Sequence, residues 1–311
     1  MKTRLLVTVR QLQDDLKHFE ARFDAAGARV AAPRPVQAFS AKEMTHLLQD
    51  ADVAIVGDDD INESVLAANA HIRRIVKWGI GMDSIDLDAA RRMGIDVVNT
   101  PEALPATVAE GAIGYLLALA RDLPAMDRGV RAGEWTKPRG TRLLGKTMGI
   151  VGMGRIGQEV ATRASAFGMR VIGTDVRSDA RLALPDGTHV PATPLRELLA
   201  TSDVILLCAS LTPASRHLLD KDTLRTVKRG ALLVNVSRGA LVETGALVTA
   251  LKDGTLAGAA LDVYEDEPLS RTHALTSLPN VFLGSHNIQN THESVRATNE
   301  LAVTCALEAL R

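Results

Sequence analysis

The strongest constraint on the fold is a glycine-rich turn near the middle of the chain. An apolar run at 147–151 is followed by Gly152, Gly154 and Gly157, and then by residues with helical spacing. A strand, a tight turn with the spacing G-x-G-x-x-G and a helix, in that order, are typical of a turn that binds a dinucleotide. The first glycine permits the sharp turn, the second lets the backbone approach a pyrophosphate, and the third lets the helix pack against the strand. The alternative is an ordinary glycine-rich turn.

A carboxylate follows the turn at the distance that dinucleotide binding requires. The next predicted strand, 169–175, ends at Asp175, roughly 20 residues beyond the glycines. A carboxylate at this point accepts hydrogen bonds from the ribose hydroxyls of adenosine, and it repels the 2′-phosphate of NADP. The sequence therefore predicts NAD as the cofactor.

Strand and helix patterns alternate on both sides of the turn. Before it, we predict strands at 5–9, 53–57, 72–78 and 97–98, and helices at 12–26, 62–70, 87–93 and 107–121. A surface loop is predicted at 132–146. After the turn, we predict strands at 204–207, 232–236, 257–263 and 281–283, and helices at 195–200, 224–227, 243–252 and 291–310. This alternation predicts parallel sheets covered by helices, which is an α/β fold.

Length and composition exclude several classes of protein. A chain of 311 residues favours two domains, and 46% apolar with 23% charged residues is an ordinary globular balance. A net charge of −1, without a basic block, gives no sign of a nucleic-acid partner. Cys208 and Cys305 are far apart in sequence and predict neither a disulfide framework nor a metal site. We find no signal peptide and no apolar run long enough to cross a membrane, and we expect a cytoplasmic protein.

Three side chains capable of acid–base or anion-binding chemistry follow separate strands in the second half. Arg238 follows the strand at 232–236, Glu267 follows 257–263, and His286 follows 281–283. Each alone has an ordinary explanation, as a surface arginine, a solvated acid or a structural histidine. Because ligands bind at the carboxyl ends of parallel strands, the three together predict a cation, a carboxylate and an imidazole at one sheet edge.

Five features carry a resemblance that extends over nearly the whole chain. They are NTPEALPATVAE at 99–110, GKTMGIVGMGRIG at 145–157, LLVNVSRGALV at 232–242, LDVYEDEP at 261–268 and the histidine at 286. Together they resemble the D-isomer-specific 2-hydroxyacid dehydrogenases, the family that contains phosphoglycerate, glycerate and D-lactate dehydrogenases. The last three features, in this order, are the most specific.

The resemblance implies a role for each candidate site residue. Arg238 binds the carboxylate and keto oxygen of the substrate, His286 is the general acid or base, and Glu267 orients its ring and raises its pKa. The backbone N–H groups of Ile80 and Gly81 bind the substrate carboxylate. Asp262 holds the nicotinamide carboxamide, and Val236 and Ser237 line the nicotinamide site. The complete set implied for the cofactor is Gly152, Gly154, Arg155, Ile156, Gly157, Asp175, Thr212, Val236, Ser237 and Asp262.

The resemblance also implies an architecture. A Rossmann-type doubly wound parallel sheet domain, 100–285, binds NAD and is inserted in a smaller flavodoxin-like α/β domain, 1–99 plus 286–311, that binds the substrate. The helix at 105–121 resembles the hinge and dimer element of the family, so we expect a homodimer. Because the sequence stops at residue 311, we expect no regulatory domain like that of some phosphoglycerate dehydrogenases.

Two segments depart from the family pattern. Many members have Ile-Gly-Gly after the catalytic histidine, where this chain has 287–290 as Asn-Ile-Gln-Asn. Many have His-x-Pro where this chain has Cys-Ala-Ser at 208–210. Lys77 and Trp78, just before the predicted carboxylate loop, either touch the distal end of the substrate or simply pack at the end of a strand. Contact by Lys77 would favour a phosphorylated or acidic substrate.

The leading functional hypothesis is hydride transfer between NAD and C2 of a D-2-hydroxy acid or 2-keto acid. The substrate would be phosphoglycerate, glycerate or hydroxypyruvate, or a similar small molecule. One alternative is an NAD(H)-sensing binding protein, as in the corepressor branch of the family. Another is a phosphite or formate type of dehydrogenase, but the 79–82 loop, Gly-Ile-Gly-Met, lacks a lysine at its centre.

Overall fold

The chain folds into two compact units, seen in a computed structural model that describes residues 3–177 and 179–310. The N-terminal unit comprises Met1–Leu104 and Asn290–Arg311, and the central unit comprises Pro105–Gln289. Each unit is built on a parallel sheet with helices, so the predicted α/β class is confirmed. Which ligand each unit binds stays a prediction at this point.

A five-stranded parallel sheet forms the centre of the N-terminal unit. Its strands are β1 (Thr3–Val7), β2 (Ala28–Ala31), β3 (Val53–Val56), β4 (Arg74–Lys77) and β5 (Asp96–Asn99). Its helices include α1 (Arg10–Asp14), α2 (Leu16–Ala25), α3 (Ala41–Leu48), α4 (Glu63–Ala68) and α5 (Leu87–Arg92). The spatial order β2-β1-β3-β4-β5 is the flavodoxin-like order.

A six-stranded parallel sheet forms the centre of the other unit. Its strands are β6 (Thr147–Val151), β7 (Arg170–Thr174), β10 (Val204–Leu207), β11 (Ala231–Asn235), β12 (Leu256–Leu261) and β13 (Val281–Leu283), and β8 (Arg181–Ala183) and β9 (His189–Pro191) form a separate antiparallel pair. The helices are α6 (Leu104–Ala120), α7 (Leu123–Arg131), α8 (Arg155–Ala166), α9 (Leu195–Thr201), α10 (Lys221–Leu224) and α11 (Thr244–Lys252). The order β13-β12-β11-β10-β6-β7 places the first strand, β6, inside the sheet, as in doubly wound folds.

The last helix, α12 (His292–Glu308), belongs to the N-terminal unit. Ala302, Val303 and Ala306 of this helix are buried in a core that also contains Phe19 and Phe23. The final predicted helix therefore forms, and its apolar face packs in the first unit of the chain. Within residues 3–177 and 179–310, no helix is long and apolar enough to cross a membrane.

Tertiary contacts explain where the predicted elements were wrong or incomplete. The helix predicted at 12–26 is broken at Asp15, whose carboxylate accepts a hydrogen bond from Asn299 Nδ2 at 2.9 Å. A helix was predicted at 224–227. The structure instead has a short helix that begins at Lys221, where Asp220 caps it, and ends at Leu224. The strand β2, the helices α3 and α7 and the pair β8–β9 were not predicted. The capping box of Ser40 with Glu43 is a local signal that could have found α3.

Candidate active site

The glycine turn between β6 and α8 has the geometry that dinucleotide binding requires. Gly152 has a φ of +102°, and a Cβ there would lie 2.6 Å from the backbone nitrogen of Ala209. A Cβ on Gly157 would lie 2.2 Å from the carbonyl oxygen of Gly152. A Cβ on Gly154, by contrast, would meet no atom of the protein within 4 Å. The first and third glycines are therefore required by packing, whereas the second borders open space.

The beginning of α8 is suited to bind an anion. Gly154 is the N-cap residue of this helix and has no side chain that could bind the first backbone N–H groups. These N–H groups and the positive end of the helix dipole can therefore bind an anionic ligand. Arg155 and Ile156 are the first two residues of this helix, which is 12 residues long. The open space at Gly154 and this helix end fit a pyrophosphate, as NAD binding requires.

Asp175 lies directly beyond β7 and is already engaged by its surroundings. Its Oδ2 accepts a hydrogen bond from the backbone N–H of Met153 at 2.8 Å. Its Oδ1 lies 2.9 Å from Nε of Arg177, and Nη2 of Arg177 lies 3.1 Å from Oδ2. The Arg177 guanidinium holds the pKa of the Asp175 carboxyl at about 2, far below its usual range. The predicted cofactor carboxylate is thus ionised and paired with an exposed arginine that sequence reasoning missed.

The imidazole of His286 and the carboxylate of Glu267 are in direct contact. His286 Nδ1 lies 2.7 Å from Oε2 of Glu267, and both side chains are about four-fifths buried, with exposed fractions of 18% and 20%. The other oxygen of Glu267 accepts the backbone N–H of Tyr264 at 3.0 Å. This second bond fixes the carboxylate, which in turn fixes the ring and its tautomer.

The end of β11 positions Arg238 through its backbone. Asn235 Nδ2 donates to the carbonyl oxygen of Arg238 at 2.9 Å, and Arg238 Nη1 donates to the carbonyl oxygen of Ser237 at 3.0 Å. The next residue, Gly239, packs against the segment that follows β12: a Cβ on Gly239 would lie 1.8 Å from the carbonyl carbon of Tyr264. The backbone that carries Arg238 therefore touches the residue whose N–H binds Glu267.

Two further residues predicted to line the nicotinamide site lie on the same strand end. Val236 is buried, and the N–H of Ser237 donates to Oδ1 of Asn235 at 3.1 Å. The hydroxyl of Ser237 donates to the carbonyl oxygen of Ala209, which follows β10. The ends of β10 and β11 are thereby joined.

Asp262 is completely buried and binds the chain itself. Its Oδ1 accepts the hydroxyl of Tyr115 at 2.8 Å and the N–H of Asn287 at 3.2 Å. Its Oδ2 accepts the N–H of Ile288 at 3.0 Å. A role toward the nicotinamide carboxamide stays a prediction, but the two bonds from Asn287 and Ile288 show that Asp262 contacts the segment after His286.

Thr212 lies in an exposed turn after β10. Its N–H donates to Oγ of Ser215 at 2.8 Å, and its hydroxyl lies 3.1 Å from the same oxygen. These local bonds order the turn, and the predicted contact of Thr212 with the cofactor remains a prediction.

The loop that contains Ile80 and Gly81 follows β4 in the N-terminal unit. Thr100 Oγ1 accepts the N–H of Gly79 at 2.7 Å, and Asn99 Nδ2 donates to the carbonyl oxygen of Ile80 at 2.9 Å. The last residue of β5 and the residue after it thus hold the loop in place. Substrate binding by Ile80 and Gly81 stays a prediction.

Lys77, at the end of β4, is a buried ion-paired residue. Only 3% of its side chain is exposed, and its Nζ lies 3.1 Å from Oδ1 of Asp58. The same nitrogen donates to the carbonyl oxygen of Trp78 at 3.1 Å. Its charge is therefore directed at Asp58, a contact that no sequence pattern predicted.

Sequence reasoning missed two residues that bind predicted site residues. Arg177 stands two positions after Asp175, where a local ion pair can form. Tyr115 is a residue with a polar tip in the apolar second half of helix α6, and a buried tyrosine hydroxyl usually has a hydrogen-bond partner. Both signals were present in the sequence, but the partner of Tyr115 is 147 positions away.

The fold and the site define a class, the NAD-binding α/β oxidoreductases. A family model described as "D-isomer specific 2-hydroxyacid dehydrogenase, NAD binding domain" matches residues 113–287. The chain is 37% identical to a glyoxylate reductase of Thermofilum pendens over 281 residues, which are 88% of this chain and 82% of the relative. The chain belongs to the D-isomer specific 2-hydroxyacid dehydrogenase family.

Other comparisons agree with this assignment. The chain is 37% identical over 273 residues to a D-3-phosphoglycerate dehydrogenase of Methanocaldococcus jannaschii, covering 87% of this chain but only 52% of that relative. It therefore spans about half the length of that relative. The TT0316 protein from Thermus thermophilus superposes with a TM-score of 0.86 at 37% identity, over 99% of this chain and 97% of the other.

Proposed function

We propose that this protein reduces short 2-keto acids, such as glyoxylate and hydroxypyruvate, to D-2-hydroxy acids with NADH, and catalyses the reverse oxidation. The observation that carries this proposal is the 2.7 Å contact between Nδ1 of His286 and Oε2 of Glu267. An imidazole with one nitrogen fixed by a carboxylate is a general acid–base group whose second nitrogen is directed at a substrate.

Each residue of the site has a defined task in this reaction. When bound, NADH supplies the hydride that reduces C2 of the substrate. The guanidinium of Arg238 pairs with the substrate carboxylate and polarises the keto oxygen. Nε2 of His286 gives a proton to that oxygen during reduction and takes it back during oxidation. The carboxylate of Glu267 holds the ring in position through Nδ1, so Nε2 is the nitrogen that would exchange the proton with the substrate.

The environment of Lys77 supports a substrate without a phosphate group. The sequence left open whether Lys77 contacts the distal end of the substrate. Its side chain is 3% exposed, and its ammonium group pairs with Asp58 at 3.1 Å. A buried cation whose charge is already compensated by a half-exposed carboxylate offers little to a phosphate, because a buried charge that loses its partner costs free energy. We therefore expect short keto acids that carry no charge besides the carboxylate to be better substrates than phosphohydroxypyruvate, although a D-3-phosphoglycerate dehydrogenase is among the relatives.

The decisive experiment is NADH oxidation with a panel of keto acids. Glyoxylate, hydroxypyruvate, pyruvate and phosphohydroxypyruvate are compared by kcat/KM. We expect glyoxylate or hydroxypyruvate to exceed phosphohydroxypyruvate by about tenfold or more, the effect of one unmatched ionic contact. The variant His286→Ala should lose roughly 10²–10⁴-fold in kcat while its fluorescence-measured Kd for NADH changes little.

Two outcomes would contradict the proposal. A preference for phosphohydroxypyruvate would show that Lys77 or another cation reads a phosphate. Tight NADH binding without turnover of any keto acid would favour the sensing function instead.

A further inference from the structure

We propose that Tyr115 and Asp262 are positioning residues that hold the segment after β13, and with it His286, against helix α6. The inference rests on the proposed function for the importance of His286, but the contacts themselves do not. All the residues involved lie in the central unit. The segment 287–290 is also where this chain departs from the family pattern.

Asp262 binds the His286 segment at three consecutive residues. Its backbone carbonyl accepts the N–H of His286 at 2.7 Å. Its carboxylate oxygens accept the N–H groups of Asn287 and Ile288 at 3.2 Å and 3.0 Å. Hydrogen bonds from backbone N–H groups to a buried carboxylate are among the stronger ones in proteins. Asp262 therefore determines the path of the backbone on which the imidazole stands.

The backbone at His286 needs such support. Its φ is +53°, in the left-handed region that side chains other than glycine rarely adopt. A conformation of this kind is unfavourable for a residue with a side chain and persists only where the surroundings enforce it. The three bonds to Asp262 supply that enforcement here.

Tyr115 connects this clamp to helix α6. Its hydroxyl donates to Oδ1 of Asp262 at 2.8 Å, and its ring packs edge-on against Phe282 of β13 at 4.8 Å between centroids. Gly284 leaves the necessary room, since a Cβ there would lie 2.1 Å from the Tyr115 hydroxyl. Burial, followed by the hydrogen bond to Asp262, raises the pKa of Tyr115 far above its usual value. The hydroxyl therefore remains a donor at any pH at which the enzyme works.

A second contact one turn earlier in α6 seats the same segment. The side chain of Ile288 fills the space beside Gly111, where a Cβ would lie 2.2 Å from Cγ1 and 2.9 Å from Cδ1 of Ile288. Gly111 and Tyr115 are four residues apart, so they lie on one face of the helix. That face contacts Ile288 directly and reaches Asn287 and Ile288 through Asp262. Gly114 is the residue before Tyr115, and a Cβ there would meet nothing within 4 Å.

The test uses three helix variants and one compensating double variant. Tyr115→Phe removes the hydroxyl, and Gly111→Ala forces Ile288 to move. Gly114→Ala is the matched control on the same helix. Gly111→Ala combined with Ile288→Ala removes the clashing atoms. For each variant, kcat with glyoxylate, Kd for NADH and the His286 ring signal in the NMR spectrum of the cofactor-free protein are measured. The His286 signal is identified by its absence in His286→Ala.

We expect Tyr115→Phe to lower kcat by about tenfold, the effect of losing one hydrogen bond to a charged group. We expect a decrease of about the same size in Gly111→Ala, because Ile288 has to move. Kd for NADH should be unchanged in both variants. Their His286 signal should shift or broaden. Gly114→Ala should match the wild type in all three measurements, and the double variant should recover both the signal and most of kcat.

The inference is overturned if the His286 signal is unchanged in Tyr115→Phe and Gly111→Ala, or if Gly114→Ala perturbs it equally. The NMR measurement needs neither substrate nor turnover. If no keto acid is reduced but the signal responds as expected, the proposed function fails and the positioning role stands.

Discussion

At the scale of single residues, we propose that the pairing of Asp175 with Arg177 influences the choice of cofactor. The sequence argument saw only a carboxylate that binds ribose and repels a 2′-phosphate. The structure adds Arg177, whose guanidinium binds both carboxylate oxygens of Asp175. The side chain of Arg177 is 59% exposed. An arginine near this position is the group that accommodates a 2′-phosphate in NADP-binding proteins. We therefore propose that the balance of these two opposite charges sets the preference for NAD.

We predict that the two residues act in opposite directions on this preference. Asp175→Ala should shift the ratio of kcat/KM for NADH over NADPH toward NADPH by about tenfold or more, because the repelling charge is lost and Arg177 loses its partner. Arg177→Ala should shift the ratio toward NADH. Parallel assays with both cofactors measure the ratio, and equal ratios in the two variants would exclude the pair from cofactor selection.

The effect of Asp175 on NAD binding should not depend on pH in the neutral range. Its pKa is lowered to about 2, mainly by Arg177, so the carboxylate is ionised in the folded protein at pH 5 and at pH 8 alike. The charge of Asp175 is fully present at any pH above the usual pKa of an aspartate. It is lost only as the pH falls toward its lowered pKa of about 2. The ratio of Kd values for NAD between wild type and Asp175→Ala should accordingly be the same at both pH values.

At the scale of elements, the β6–turn–α8 unit separates packing from ligand binding. Gly157 is needed because its helix lies against the carbonyl oxygen of Gly152, which a Cβ at this position would approach to 2.2 Å. Gly154 borders only open space. The same glycine pattern thus contains one residue required by the fold and one available to the ligand.

Substitution by alanine should distinguish these two roles. Gly157→Ala should lower Tm and weaken NADH binding together, because the strand and helix must separate to admit the methyl group. Gly154→Ala should leave Tm nearly unchanged while raising Kd for NADH by about tenfold, since the methyl group stands where the pyrophosphate approaches. Thermal unfolding and fluorescence titration measure the two effects. A loss of Tm in Gly154→Ala as large as that in Gly157→Ala would refute this division.

The helix α6 shows a similar division between its residues. Its sequence is strongly apolar, which predicts a buried helix but not its neighbours. Gly111 borders the side chain of Ile288, and Tyr115 reaches the segment after His286 through its hydrogen bond to Asp262, whereas a Cβ on Gly114 would meet nothing within 4 Å. A helix that resembles the hinge and dimer element of the family thus also contacts Ile288 and Asp262, which hold the segment of the candidate catalytic histidine.

At the scale of the whole molecule, we propose that two copies of the chain form a homodimer through α7 and the loop after it. Leu123 and Val130 of α7 and Trp135 of the loop expose large apolar side chains, and Trp135 is 79% exposed. Neighbouring exposed apolar residues of this size mark surfaces that bind other proteins. The resemblance to the family implies a homodimer, which makes a second copy the expected occupant.

We predict that Trp135→Glu converts the dimer to a monomer. A charge at the centre of an apolar interface is left unpaired and costs several kcal/mol. Light scattering after gel filtration should give twice the chain mass of 33.2 kDa for the wild type and 33.2 kDa for the variant. Val36→Glu is the control, because Val36 is also exposed but lies in the N-terminal unit. A monomeric wild type, or a dimeric Trp135→Glu, would contradict the proposed interface.

The sequence alone determined the α/β class, most of the strands and helices, the glycine turn and the three strand-end residues. These features depend on local patterns: apolar runs, glycines at fixed spacing and the rule that ligands bind where parallel strands end. His286 and Glu267 are 19 positions apart; the strand ends predicted that they lie at one sheet edge, and the resemblance to the family implied their contact. The elements β2, α3 and α7 were missed, although the capping box of Ser40 with Glu43 marks the beginning of α3.

The tertiary structure decided which partner each of these residues has. The bond between Tyr115 and Asp262 spans 147 positions, and no local pattern predicts such a pair. The sequence left open whether Lys77 contacts the substrate or only packs at the end of a strand. In the structure, its ammonium group is paired with Asp58. The reason is physical: a sequence pattern reports how a segment folds along its own axis, whereas the charge and hydrogen-bond state of a side chain depends on groups that only the folded chain brings within about 3 Å.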